Sequence, residues 1–146
     1  MLLAILICSS GGKQALAAEP TIITLTQTGC QFLEPEGRDH GFEPSRKADC
    51  ESINADSAAR RLQTAHTLTL KPGRYLFRVT NRDVPYALGF WLRGNGLRGR
   101  ASLPGVSGGG LGKGATKDYA IELTEGDYVY SCPLNSTPDY SVRVRP

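Results

Sequence analysis

Cys132 is the residue in this chain best suited to chemistry. It ends the run Tyr128-Val129-Tyr130-Ser131-Cys132, and Pro133-Leu134-Asn135 follows. A thiolate is a soft ligand for Cu(I) and other thiophilic metals, and it is the reactive form in thiol redox chemistry. Nothing cationic lies near Cys132 in sequence to lower its pKa, so a thiol buried for packing is the reading its residue type favours. Cys30 and Cys50 flank a loop with proline, glycine and little regular pattern. Pairing them would staple a segment with few apolar residues of its own, worth about 3 kcal/mol. Cys132 is then the thiol left over and the one cysteine open to a metal.

Other constellations carry less. Glu34, Glu36, Asp39, His40 and Glu43 crowd one loop. Carboxylates suit hard ions and imidazole suits borderline ones, but the spacing fits no ligand signature, the calcium loop included. A solvated polar loop is expected. Ser107 to Gly114 is rich in glycine but lacks the Gly-Lys-Ser/Thr ending of a phosphate-cradling loop and precedes a strand. Asn135-Ser136-Thr137 matches a glycosylation sequon, read here as coincidental. No nucleophile–His–acid set is evident, so the chain is expected not to be an enzyme.

Export is expected from the first residues. An apolar run, Leu2 to Ile7, precedes Ala15-Leu16-Ala17-Ala18, the order of a secretory leader with an Ala-x-Ala cleavage site. The expected division is a leader over 1–17 and a domain over 18–146, in the periplasm or secreted. Lipidation at Cys8 is the alternative, disfavoured by the bulk of Ile7. Without Lys13, sixteen basic side chains face fourteen acidic ones, too small an excess to point to nucleic acid.

The elements that must position Cys132 read as strands. Thr21 to Gln27 is β-branched and partly alternating, and His66 to Leu70 alternates polar and apolar. Lys71-Pro72-Gly73 turns the chain into Arg74 to Thr80, and Tyr86 to Arg93 follows with the only tryptophan, Trp91. Residues 94–115 read as a flexible glycine-rich end loop. Thr116 to Leu123, Asp127 to Cys132 and Tyr140 to Arg145 are further strands. Residues 30–51 read as an acidic loop and 54–64 as a short helix capped by Asp56 or Ser57. Short strands at regular spacing, with no parallel βαβ rhythm, indicate an all-β sandwich or barrel.

Three pieces in order resemble the cupredoxin, or blue-copper, superfamily. Pro72-Gly73-Arg74-Tyr75 leads a strand into Asn81-Arg82-Asp83-Val84-Pro85-Tyr86. A glycine-rich loop, a Thr-containing strand and Glu125-Gly126-Asp127-Tyr128 come next. Tyr128 to Asn135 then runs a strand into a cysteine and a loop. The resemblance covers roughly residues 64–146 and the first strand. It implies a Greek-key β-sandwich of the cupredoxin type, here with a disulfide-held N-terminal loop and one short helix, residues 30–63 forming an insertion. It also implies a copper thiolate at Cys132 with two histidines and a methionine. Those positions hold Tyr86, Asn135 and Tyr140 instead, and no histidine occurs after His66. A blue-copper centre needs two imidazoles beside its thiolate. An altered site of Cys132, Tyr86, Asn135 and Tyr140 is therefore expected.

The resemblance implies metal handling or electron transfer as the neighbourhood of the function. The leading expectation is a periplasmic binding module that meets a partner protein, in the periplasm or at the membrane surface, or a metal ion. The alternative is a non-blue site in which Cys132 binds copper or iron. Tyr86 and Tyr140 would serve ferric iron only as phenolates, against an intrinsic pKa near ~10.

Overall fold

The computed structural model describes Gly12 and residues 18–146; the rest of the expected leader, Cys8 included, lies outside the described residues. β1 (Thr21–Thr28) opens the fold and turns back into β2 (Gln31–Phe32). A one-turn helix, α1 (Leu33–Glu36), and a long one, α2 (Lys47–Leu62), follow. Then come β3 (Leu68–Leu70), β4 (Gly73–Asn81), β5 (Leu88–Gly94), α3 (Gly96–Ser102), β6 (Val106–Leu111), β7 (Thr116–Leu123), β8 (Gly126–Ser131) and β9 (Tyr140–Val144). One sheet runs β2-β1-β4-β7 and the other β3-β9-β8-β5-β6. This is the β-sandwich expected. β1 lies parallel to β4, and β3 parallel to β9; the other pairs are antiparallel.

Alternation fixes the core. In β4, Tyr75, Phe77, Val79 and Asn81 point inward, and in β9 Tyr140, Val142 and Val144 do so. In β8 the tyrosines 128 and 130 join the core cluster, while Val129 takes the other face. Phe32 stands edge-on to both Tyr130 (5.2 Å) and Tyr140 (5.8 Å). Such edge-to-face pairs add about 0.5–1.5 kcal/mol beyond the area they bury.

Three segments depart from expectation. The helix begins at Lys47, not near residue 54, and ends at Leu62. Its start is capped by Asp49, whose Oδ2 accepts the N–H of Ser45 and Arg46, and not by Asp56 or Ser57. Ser57 instead donates back to Ile53 O. The 30–51 segment contains β2, α1 and the first turn of α2, so it is not a plain loop. Residues 94–115 hold α3 and β6, not a flexible loop. Glycine permits this: a Cβ at Gly94 would fall 2.1 Å from Gly99 O.

Candidate functional site

Cys30 and Cys50 form a disulfide, with Cα atoms 5.0 Å apart, and Cys132 is a buried free thiol. Cys132 sits just past β8, beside the start of β5. Its Sγ accepts the N–H of Gly89 at 3.3 Å. A Cβ at residue 89 would lie 2.6 Å from Gly108 O, so only glycine lets β5 and β6 close up there and present that N–H. Burial pushes the thiol upward in pKa, and the N–H groups of Gly89, Asn135 and Leu134 oppose it without cancelling it. At neutral pH Cys132 is a protonated, buried thiol.

Asn135 is fully buried. Its Nδ2 donates to Thr28 O (2.8 Å) and Gln27 Oε1 (3.2 Å), and its Oδ1 accepts the N–H of Cys30 (2.8 Å). Gln27 Nε2 in turn donates to Gly89 O at 2.8 Å. Two side-chain amides thus tie the loop after Cys132 to the β1–β2 turn and to the strand that faces the thiol. That turn places Cys30 at φ 64°, a left-handed conformation that costs about 1–3 kcal/mol outside glycine. The disulfide and the bond from its N–H to Asn135 hold it there.

Tyr86 lies in the turn before β5, half-buried, with its Oη 3.8 Å from Cys50 Sγ; Asn135 Oδ1 is 3.5 Å from the same sulfur. Burial raises the Tyr86 phenol, and the nearby Asp49 and Cys132 push it the same way. Asn81 clamps the turn: its Nδ2 reaches the carbonyls of Val84, Tyr86 and Leu111, and its Oδ1 accepts the Val84 N–H at 2.9 Å. Beside Cys132, Trp91, Gly108, Pro133 and Leu134 line an open cavity of about 360 Å³, and Leu134 is 42% exposed.

Tyr140 is engaged elsewhere. Its Oη donates to Glu36 Oε1 at 2.6 Å. The same carboxylate receives Arg61 through Nη2 (2.7 Å) and Nε (2.9 Å), and His40 through Nε2 (2.6 Å). The Glu36 and Arg61 side chains are 2% and 6% exposed. Burial raises the Glu36 carboxyl, but the bonds from Arg61, Tyr140 and His40 and the Arg61 charge outweigh it and hold it below the ordinary carboxylate range. Burial and the Glu36 charge push the Tyr140 phenol far up. Arg61 also reaches Cys30 O, and Asn54 joins that carbonyl to Ser136 O. Arg61, Gln27 and Asn54 were not marked by sequence, and Glu36 was marked only within a polar loop expected to be solvated; the spacing of Asn54 and Arg61 on one face of α2 is the only trace the other three leave there.

No family model matches the chain, and no curated protein matches it. Among solved structures, auracyanin B aligns over 93% of this chain and 97% of its own, with a TM-score of 0.55 and 11% identity. An oxidised amicyanin variant aligns over 89% of this chain and 86% of its own, with a TM-score of 0.43 and 15% identity.

The chain has a cupredoxin-like fold.

Within this cupredoxin-like sandwich the residues do not fit a blue-copper centre. Cys132 offers a thiol, but the side chains expected to join it, Tyr86 and Asn135, bring a phenol and an amide instead of imidazoles, and both Nδ2 hydrogens of Asn135 are committed to Gln27 and Thr28 while its Oδ1 already accepts from Cys30. His40 is committed to the Glu36 cluster, and His66 is an exposed residue next to β3. Phenols pushed upward do not suit ferric iron either. Among the described residues no three His, Cys, Asp or Glu side chains converge as a ligand set. Nor is any described helix long and apolar enough to cross a membrane.

Proposed function

We propose that this chain is an exported, non-enzymatic binding module, periplasmic or secreted, that docks on a partner protein in metal handling or electron transfer without a blue-copper centre of its own. The observation that carries this reading is Asn135. Both of its Nδ2 hydrogens and one lone pair of its Oδ1 go to bonds within the chain that hold the loop after Cys132 in place. The same loop exposes Leu134 beside Trp91 and Pro133, a small apolar surface of the kind protein partners cover. The test compares two exposed leucines on the mature chain. Leu134→Asp should abolish co-purification with the partner from an exporting host, while Leu97→Asp, 80% exposed on α3, should not. Retention by both variants would contradict the docking surface.

A second reading keeps Cys132 as a thiolate ligand in a non-blue copper site. It is supported by the Gly89 N–H, which would favour the thiolate once formed. It predicts stoichiometric Cu(I) binding that Cys132→Ser abolishes. Equal uptake by both proteins would remove it.

A further inference from the structure

Where α2 ends against the 36–42 loop, a cavity of about 380 Å³ opens to solvent. Glu36, Arg38, His40, Arg60, Arg61 and Thr64 line it. Its floor is closed chemically, because Glu36 is saturated by Arg61, Tyr140 and His40. Its rim is not. Arg38 and Arg60 are exposed and form no ion pair among the described residues.

The way Arg38 is held points to a ligand. Its Nε and Nη2 lie 3.4 and 3.2 Å from Nδ1 of His40. His40 Nε2 faces Glu36 at 2.6 Å. An imidazole that donates through Nε2 can accept through Nδ1. The ring orients the guanidinium through hydrogen bonds, and no carboxylate among the described residues pairs with its charge. Buried Gln31 fixes the backbone on both sides, donating to Arg38 O (2.9 Å) and accepting from His40 N (2.8 Å). The three guanidinium groups are opposed by Glu36 and by the carbonyl end of α2, equivalent to about half a negative charge, leaving roughly one and a half positive charges around the cavity.

We propose that this cavity binds a small oxyanion, a phosphate or carboxylate group, held between Arg38 and Arg60. The site is separate from the partner surface at Leu134 and does not depend on it. Planar guanidinium groups match both classes of anion in a fork geometry.

The experiment titrates inorganic phosphate, and separately succinate, into the mature chain at constant ionic strength, read by amide NMR shifts. Saturable shifts are expected in residues 36–42 and 60–64, with the two anions competing. Arg38→Gln and Arg60→Gln should each weaken binding about tenfold or more, a typical loss for a charge-assisted contact of 1.5–3 kcal/mol. Arg98→Gln, at an exposed arginine on α3, should leave it unchanged. Both rim substitutions are at exposed positions, so folding is preserved and checked by the rest of the spectrum. Absence of saturation with either anion would overturn the proposal. So would unchanged binding in the two rim variants, or an equal loss in Arg98→Gln.

Discussion

Two buried polar clusters hold the N-terminal third of this chain against the sandwich, and they are built from opposite materials. The cluster beside Cys132 is neutral: Gln27, Asn81 and Asn135 use amide groups to clamp the loops at one end of the strands. The cluster at Glu36 is charged, pairing a carboxylate with Arg61 and adding Tyr140 and His40. The first lies where the fold resemblance leads one to expect a metal, and amide hydrogen bonds order its loops. The second lies where α2 meets α1 and the β1–β2 turn, and it spends full charges on a purely internal bond. Hydrogen-bonded neutral amides cost little to bury, whereas a buried ion pair is costly to break from one side.

The largest expected effect follows from that asymmetry. Arg61→Met leaves Glu36 buried without its cation and should cost about 3–5 kcal/mol, read by urea unfolding. The charged cluster should also give stability an acid limb. The Glu36 carboxyl is held below its ordinary 4.5, so its contribution is fully present above that pH and is lost as pH falls through the lowered folded value. Glu36→Gln should be less stable at neutral pH and should flatten that limb. An unchanged limb would show that other carboxylates set it.

Opening the disulfide comes next. Cys30 and Cys50 are 20 residues apart, and Cys30→Ala with Cys50→Ala should lose about 3 kcal/mol. Asn135→Ala, which strands the Cys30 N–H and Thr28 O, should cost about 2 kcal/mol and leave the acid limb as it was. If it cost as much as Arg61→Met, the contrast between the clusters would fail. Cys132→Ser should be the mildest, about 1 kcal/mol, because one weak sulfur acceptor is exchanged for a similar group.

Sequence made the strands legible because their inward residues are apolar and alternate, as in Tyr75, Phe77 and Val79. It also placed Cys30 and Cys50 correctly. The helix α2 escaped in part because its buried face carries Cys50, Asn54 and Arg61, so no apolar period announces it. β6 and α3 were hidden by glycines that serve close backbone approach, as at Gly94 and Gly99, and not flexibility. Tyr140 was grouped with Cys132 by its distance along the loop. The register Tyr130↔Tyr140 turns it instead into the core and toward Glu36, a partner 104 residues away that spacing cannot reveal.

The central claim is that the Cys132 end is held by amides and lacks the ligands of a blue-copper centre. The most direct test is the visible spectrum of the mature chain mixed with one equivalent of Cu(II), alongside its melting temperature. The account predicts no intense charge-transfer band and no thermal shift. A strong blue band that disappears in Cys132→Ser would contradict it.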